Sequence, residues 1–148
     1  MNTRLVRFTK WLLDVMFYGG FVITAGIPVI FRYVGRFIEV FRYWYIPQCI
    51  LYMGSGVICL LIVLELRRIF DTVLADHAFV MENASSLKRM GKCSFVLAAL
   101  SVIRLPLAPT PATVVVIIVF SIAGLFCFVL CQVFKQAVQY KEENDLTI

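Results

Sequence analysis

The sequence predicts an all-α membrane protein of four transmembrane helices with both termini in the cytoplasm. An outer interfacial amphipathic segment joins the first two spans, and a cytoplasmic helical hairpin joins the second and third. Three observations predict this. Residues 11–31, 46–66, 87–107 and 112–134 are each apolar enough to span a bilayer, because about 20 helical residues cover the ~30 Å hydrocarbon core and only a helix satisfies its own backbone there. Hydrophobic residues make up 61% of the 148, and the mean hydropathy is +0.91, so a soluble fold would expose far more apolar surface than such folds tolerate. The cations are also unevenly divided. Arg4, Arg7, Lys10, Arg67, Arg68, Lys88, Arg89, Lys92, Lys135 and Lys141 share the side of the N terminus, against Arg32, Arg36, Arg42 and Arg104 on the other. The positive-inside rule places the richer side in the cytoplasm. The net charge of +5 therefore reads as a topology signal and not as a nucleic-acid surface. The spans and their short connections fill the chain, which reads as a single membrane domain.

The first span follows Arg4, Arg7 and Lys10. Its apolar run is too long for a secretory h-region of about 7–15 residues and lacks an A-x-A site, so it reads as an uncleaved helix. Trp11 falls at interfacial depth, and Asp14 lies one turn inside with Lys10 at i−4, a pair able to snorkel together. Gly19 and Gly26, with Gly20 and Thr24 beside them, give a small-residue face that admits another helix. Pro28 removes one backbone bond and is expected to kink or finish the helix.

The connection over residues 31–45 carries seven aromatics in 15 residues. On a helix, Val34, Phe37, Ile38, Phe41 and Tyr45 form one face, and Arg32, Arg36, Glu39 and Tyr43 another. That pattern suits a helix lying in the outer interface, with Arg32, Arg36 and Glu39 as candidate lipid or outer-face contacts. The second span opens at Pro47, which suits a first helical turn, and holds Gly54-Ser55-Gly56 for helix packing. Glu65 can meet Arg68 at i+3, and Arg67 can meet Asp71 at i+4. The helical pattern runs to Leu74, breaks over residues 75–78 with Asp76 as a cap, and resumes at Phe79 with Val80, Ala84, Leu87 and Gly91 on one stripe.

The third span is short of apolar residues: 93–103 gives only 11, about 16 Å of helix, so it borrows 87–92 and 104–107. Arg104 then lies in the outer half of the membrane and is expected to snorkel to lipid phosphate or to meet Glu39. Pro106, Pro109 and Pro111 form an outer turn, with Thr110 as cap and Pro111 opening the fourth helix. That helix continues past Phe134 and stops near Asn144, in an acidic tail that opposes its own macrodipole.

The chemistry-bearing residues are scattered. Cys59, Cys127 and Cys131 lie in spans, Cys93 near the inner surface and Cys49 toward the outside, so free thiols are expected. Cys127 and Cys131 are i,i+4 but have no histidine or carboxylate to complete a metal site. His77 stands by itself at the hairpin turn. No catalytic residue, metal or cofactor is expected, and an enzyme is not. A transporter or channel component is the alternative, weakened because Thr24, Ser55 and Ser121 are the polar groups near the midplane.

Arg67-Arg68-Ile69, Phe79-Val80, Glu82-Asn83, Leu87-Lys88-Arg89-Met90-Gly91, Val133-Phe134-Lys135-Gln136-Ala137 and Glu143-Asn144-Asp145-Leu146-Thr147-Ile148 resemble the bacterial membrane family known as domain of unknown function 2975. The family usually carries Gly and Pro just before the Phe, where this chain reads Asp76-His77-Ala78. The resemblance implies a multi-pass protein of the bacterial plasma membrane and supplies no activity. It also suggests a cytoplasmic helix-turn-helix regulator as a partner, because genes of this kind accompany such regulators. Its motif residues Phe79, Glu82, Asn83, Glu143, Asn144, Asp145 and Leu146 become candidates for partner binding or inner-face packing. Asn83 is a candidate helix-end or interhelical hydrogen-bonder, and the terminal turn is expected to pack on the hairpin. The expected role is a non-enzymatic sensor or regulator that uses the bilayer as solvent, with a homo-oligomer left open by the glycine faces.

Overall fold

The computed structural model describes residues 2–107 and 109–146, and all regular structure in them is helical. The order is α1 (Thr3–Val34), α2 (Glu39–Tyr43), α3 (Tyr45–Leu74), α4 (Met81–Arg104) and α5 (Pro111–Leu146). Three of these, α1, α3 and α5, are long and apolar enough to cross a membrane. The exposed faces of their middle stretches are apolar, as at Val22, Val29, Ile50, Ile122 and Phe126, which suits hydrocarbon and not water.

Helix α4 is built differently. Its 24 residues are about 36 Å long, enough to cross, but it is much less apolar and it is the most buried helix. Asn83, Leu87, Met90, Ser94, Leu97, Ser101 and Arg104 recur at alternating steps of four and three along its buried seam. The serines satisfy themselves: Ser94 Oγ donates to the Met90 carbonyl (2.9 Å) and Ser101 Oγ to the Leu97 carbonyl (3.0 Å). Helix α4 tolerates this polarity because α3 covers one flank and α5 the other.

The long helices alternate in direction and pack in chain order, α1 on α3, α3 on α4 and α4 on α5. Among the described residues, no Cα of α1 comes within 8 Å of α4 or α5, nor any of α3 within 8 Å of α5. The result is an open row with α1 and α5 at its margins. One cluster, around Ala84, Leu87, Met90 and Cys131, joins α3, α4 and α5. The other, around Ile27, Phe31 and Cys49, joins α1 to α3 and α2. The start of α1, the α3–α4 turn and the end of α5 lie at one end, hereafter the terminal end. The α1–α3 connection and the α4–α5 turn lie at the other.

Several local expectations need correction. Pro28 does not end α1, which runs on to Val34. The Tyr45 hydroxyl donates to the Pro28 carbonyl (2.8 Å) and ties α3 to α1 at that level. Gly19 and Gly26 do not meet another helix. The close approach is made by Gly56, whose missing Cβ would lie 2.6 Å from Thr24 Oγ1, and by Gly20 against Leu60. The continuous interfacial helix is also absent. A turn at Gly35 breaks it, leaving the five residues of α2; Phe41 packs on Phe31 while Phe37 and Ile38 stay exposed. Helix α4 ends at Arg104, short of the predicted 87–107 span, and residues 105–107 belong to the turn that follows, where the Leu107 N–H donates to the Arg104 carbonyl.

Asp76 does not cap α4, whose N-cap is Val80 with no side-chain bond. Asp76 closes α3 instead, in the left-handed region at φ 59°. Its N–H donates to the Val73 carbonyl and the His77 N–H to the Thr72 carbonyl, the paired bonds of a helix C-terminus that usually uses glycine. Thr110 and Pro111 open α5 as the sequence predicts, with the Thr113 N–H donating to Thr110 Oγ1 (3.3 Å). The helix runs at least to Leu146, the last described residue, past the expected stop near Asn144.

Candidate functional site

At the terminal end, charges stitch neighbouring helices together. Lys10 of α1 pairs with Asp71 of α3. Asp14 of α1 contacts Arg67 of α3 at 2.6 Å, a charge contact not aligned as a hydrogen bond. The Arg67 guanidinium also lies 4.9 Å from the centre of the Phe17 ring. The expected pairs Asp14–Lys10 and Arg67–Asp71 are therefore replaced by contacts between helices. Glu65 keeps its expected partner Arg68 (3.1 Å) and gains a second: Arg89 of α4 donates to both carboxylate oxygens, at 3.0 and 3.1 Å. Glu65 is almost fully buried, and the forked guanidinium satisfies it across the α3–α4 seam.

About two turns nearer the hairpin turn, Asn83 is 1% exposed and spends its amide on the hairpin. Its Nδ2 donates to Thr72 Oγ1 and to the Ala78 carbonyl, both at 2.7 Å, while Thr72 Oγ1 donates to the Ile69 carbonyl. A polar cleft of about 610 Å³ opens beside this latch, bounded by Arg68, Asp71, Glu82, Asn83, Ser86 and Arg89. A second cleft, of about 290 Å³, lies between the hairpin and α5, bounded by Phe79, Val80, Met81, Val138, Lys141 and Asp145. Phe79 packs there on Phe134, with ring centres 5.5 Å apart.

The fold thus brings Phe79 of the hairpin beside Asp145 of α5, while Glu82 and Asn83 line the other cleft and Met81 lines both. Glu143 and Leu146 are exposed and line neither cleft, and neither does Asn144. Thr147 and Ile148 lie outside the described residues. Among the described residues no three His, Cys, Asp or Glu side chains gather closely enough to hold a metal. The clefts are bounded by paired charges and the buried amide latch on one side and by an apolar shelf on the other.

The opposite end holds the other candidates. Arg32 and Arg36 line a third cavity, and Glu39 is exposed in the first turn of α2, outside it. Arg104 neither snorkels nor meets Glu39. It is 9% exposed, with its guanidinium 4.3 Å from the centre of the Tyr52 ring and Nη2 3.5 Å from Thr113 Oγ1. Enclosure by α3 and α5 gives it an aromatic face in place of lipid phosphate. Sequence reasoning missed Arg89, Thr72 and Arg42 as site residues. For the first two a signal exists: Glu65 and Arg89, like Thr72 and Asn83, are nearly equidistant from the hairpin turn, so antiparallel helices bring each pair to one depth.

A family model described as "Protein of unknown function (DUF2975)" matches residues 22–148. No curated protein and no solved structure gives a significant match.

Proposed function

The chain belongs to the DUF2975 family, and from that premise we propose that it is a four-crossing plasma-membrane protein of bacterial type with both termini in the cytoplasm. It acts without catalysis, as a sensor or regulator that holds a cytoplasmic partner at the two clefts of its terminal end. The observation that carries this reading is that Glu82 and Asn83 bound one cleft and Phe79 and Asp145 the other, both at the end where α1 begins, α5 is furthest along and most cations gather. Cations at that end favour the cytoplasmic side. Helix α4 crosses as the third span because its polar seam faces α3 and α5 and not lipid. The partner that fits the family resemblance is a helix-turn-helix regulator, held while the membrane signal is absent and released by a population shift of the hairpin.

Two experiments test the reading. His77→Cys in the α3–α4 turn and Tyr43→Cys in α2 place thiols at exposed positions on opposite ends. In intact cells an impermeant maleimide is expected to label Tyr43→Cys, and to label His77→Cys only after permeabilisation; the reverse pattern would invert the topology. Crosslinking in native membranes is expected to capture a DNA-binding protein with the intact chain, and to lose it on Phe79→Ala or on deletion of residues 142–148. Capture unaffected by both changes would remove the clefts from the proposal.

A further inference from the structure

We propose that the end of the molecule opposite the termini binds a phosphate-bearing anion, supplied by the headgroup of an anionic phospholipid. A cavity of about 570 Å³ opens there among Arg32, Gly35, Arg36, Phe41, Arg42 and Tyr45. It falls within the roughly 300–1,000 Å³ usual for small-ligand sites. Its three arginines come from the last turn of α1, the turn after it, and α2. That end carries one other cation, Arg104, which is buried on Tyr52.

The convergence is built by the fold. A Cβ on Gly35 would lie 3.6 Å from the Arg42 backbone, ordinary contact distance, which shows how closely α2 folds back against the end of α1. Phe41 is fixed edge-on to Phe31, and the Tyr45 hydroxyl is committed to the Pro28 carbonyl, which holds the cavity floor in place. Among the described residues none of the three guanidiniums is within 4.0 Å of a carboxylate. Glu39, the acid nearest in sequence, does not line the cavity.

Three like charges brought together without an acid repel one another, and an anion between them relieves that repulsion. Guanidinium groups suit phosphate in particular, because their forked donors match its oxygens in pairs and shed water more readily than ammonium does. The depth fits a lipid source. Tyr33, Phe37, Tyr43 and Trp44 are at least half exposed around the same segment, an aromatic girdle of the kind that sits at headgroup level. The lipid source rests on the membrane-crossing reading above; the phosphate chemistry does not.

The test is native mass spectrometry of the detergent-solubilised full chain titrated with dioleoyl phosphatidylglycerol, dioleoyl phosphatidylcholine or inorganic phosphate. Phosphatidylglycerol is expected to bind about tenfold more tightly than phosphatidylcholine, and Arg32→Gln/Arg36→Gln/Arg42→Gln to bring the two within about threefold of each other. Lys88→Gln/Lys92→Gln/Lys135→Gln removes as much charge at the terminal end and is expected to leave the preference intact. Arg32→Lys/Arg36→Lys/Arg42→Lys, which keeps the charge and disturbs the fold least, is expected to retain only part of it. Equal binding of both lipids by the unaltered chain would overturn the proposal, as would equal loss from the distant lysine variant. Inorganic phosphate bound with the same arginine dependence but no lipid preference would overturn the lipid source. A wrong topology would show in the maleimide pattern and not here.

Discussion

At Glu65 two arginines share one carboxylate, and the one from the neighbouring helix makes the better bond. Arg68, on the same helix, offers a single donor, whereas Arg89 offers the fork. Removing one partner of a buried pair costs more than the pair contributes, because the other charge is left unsatisfied. Arg89 is about half exposed, which tempers that cost. A double-mutant cycle of Glu65→Gln and Arg89→Gln is expected to show a coupling of about 1–2 kcal/mol in detergent unfolding. A coupling near zero would mean that the pair contributes nothing to joining α3 and α4. At Asn83 the chemistry differs, because the amide acts purely as a donor. Asn83→Asp keeps the shape but turns an acceptor toward the Ala78 carbonyl, for a loss of about 2 kcal/mol. Hydrogen exchange over residues 75–80 is expected to quicken in that variant, and unchanged protection would show that the latch is dispensable.

Between elements, the tightest approach of α1 and α3 is at Gly56, with Gly20 against Leu60 beside it. Gly56 faces Thr24 so closely that a methyl group would overlap its hydroxyl, while Gly54, one turn-half away, has open space at the same test. Gly56→Ala is therefore expected to lower stability by about 1–3 kcal/mol by forcing the helices apart, and Gly54→Ala to change it little. Thermal unfolding of the two variants side by side checks this, and equal effects would refute the contact. Helix α4 shows the complementary rule. Its seam of asparagine, serines and Arg104 is acceptable because two helices, and not lipid, lie against it.

For the molecule as a whole, packing in chain order leaves α1 and α5 with broad apolar faces and nothing between them. In a closed bundle these two helices would be neighbours. Val22→Cys and Leu125→Cys sit on the exposed faces of α1 and α5. In the doubly substituted chain, oxidation is expected to give disulfides only between copies, seen as dimers on a non-reducing gel. A crosslink within one chain would show that the row closes in the membrane. A homo-oligomer that shelters these faces is compatible with the row, and the same gel would report it.

The positions of the long apolar helices, the hairpin break after Leu74 and the Thr110-Pro111 start of α5 were legible in the sequence, because span length, turn chemistry and capping are local and leave their mark in neighbouring residues. Two charge pairs differ from the sequence expectation for the same reason, while Glu65 keeps Arg68. Asp14 was matched to Lys10 and Asp71 to Arg67 because i,i+4 neighbours are what a single helix offers. Yet Lys10 and Asp71, and likewise Asp14 and Arg67, lie nearly equally far from the midpoint of the connection between α1 and α3, and antiparallel packing brings each pair to one depth. Asp76 tells the same story at a turn: this chain holds a left-handed backbone there without a glycine. The sequence by itself determined which segments prefer hydrocarbon and which end is basic, since both follow from composition along a line. Only the tertiary structure decided which helices touch, where Arg104 is sheltered, and that three arginines meet in one cavity, because those depend on distances between residues far apart in the chain.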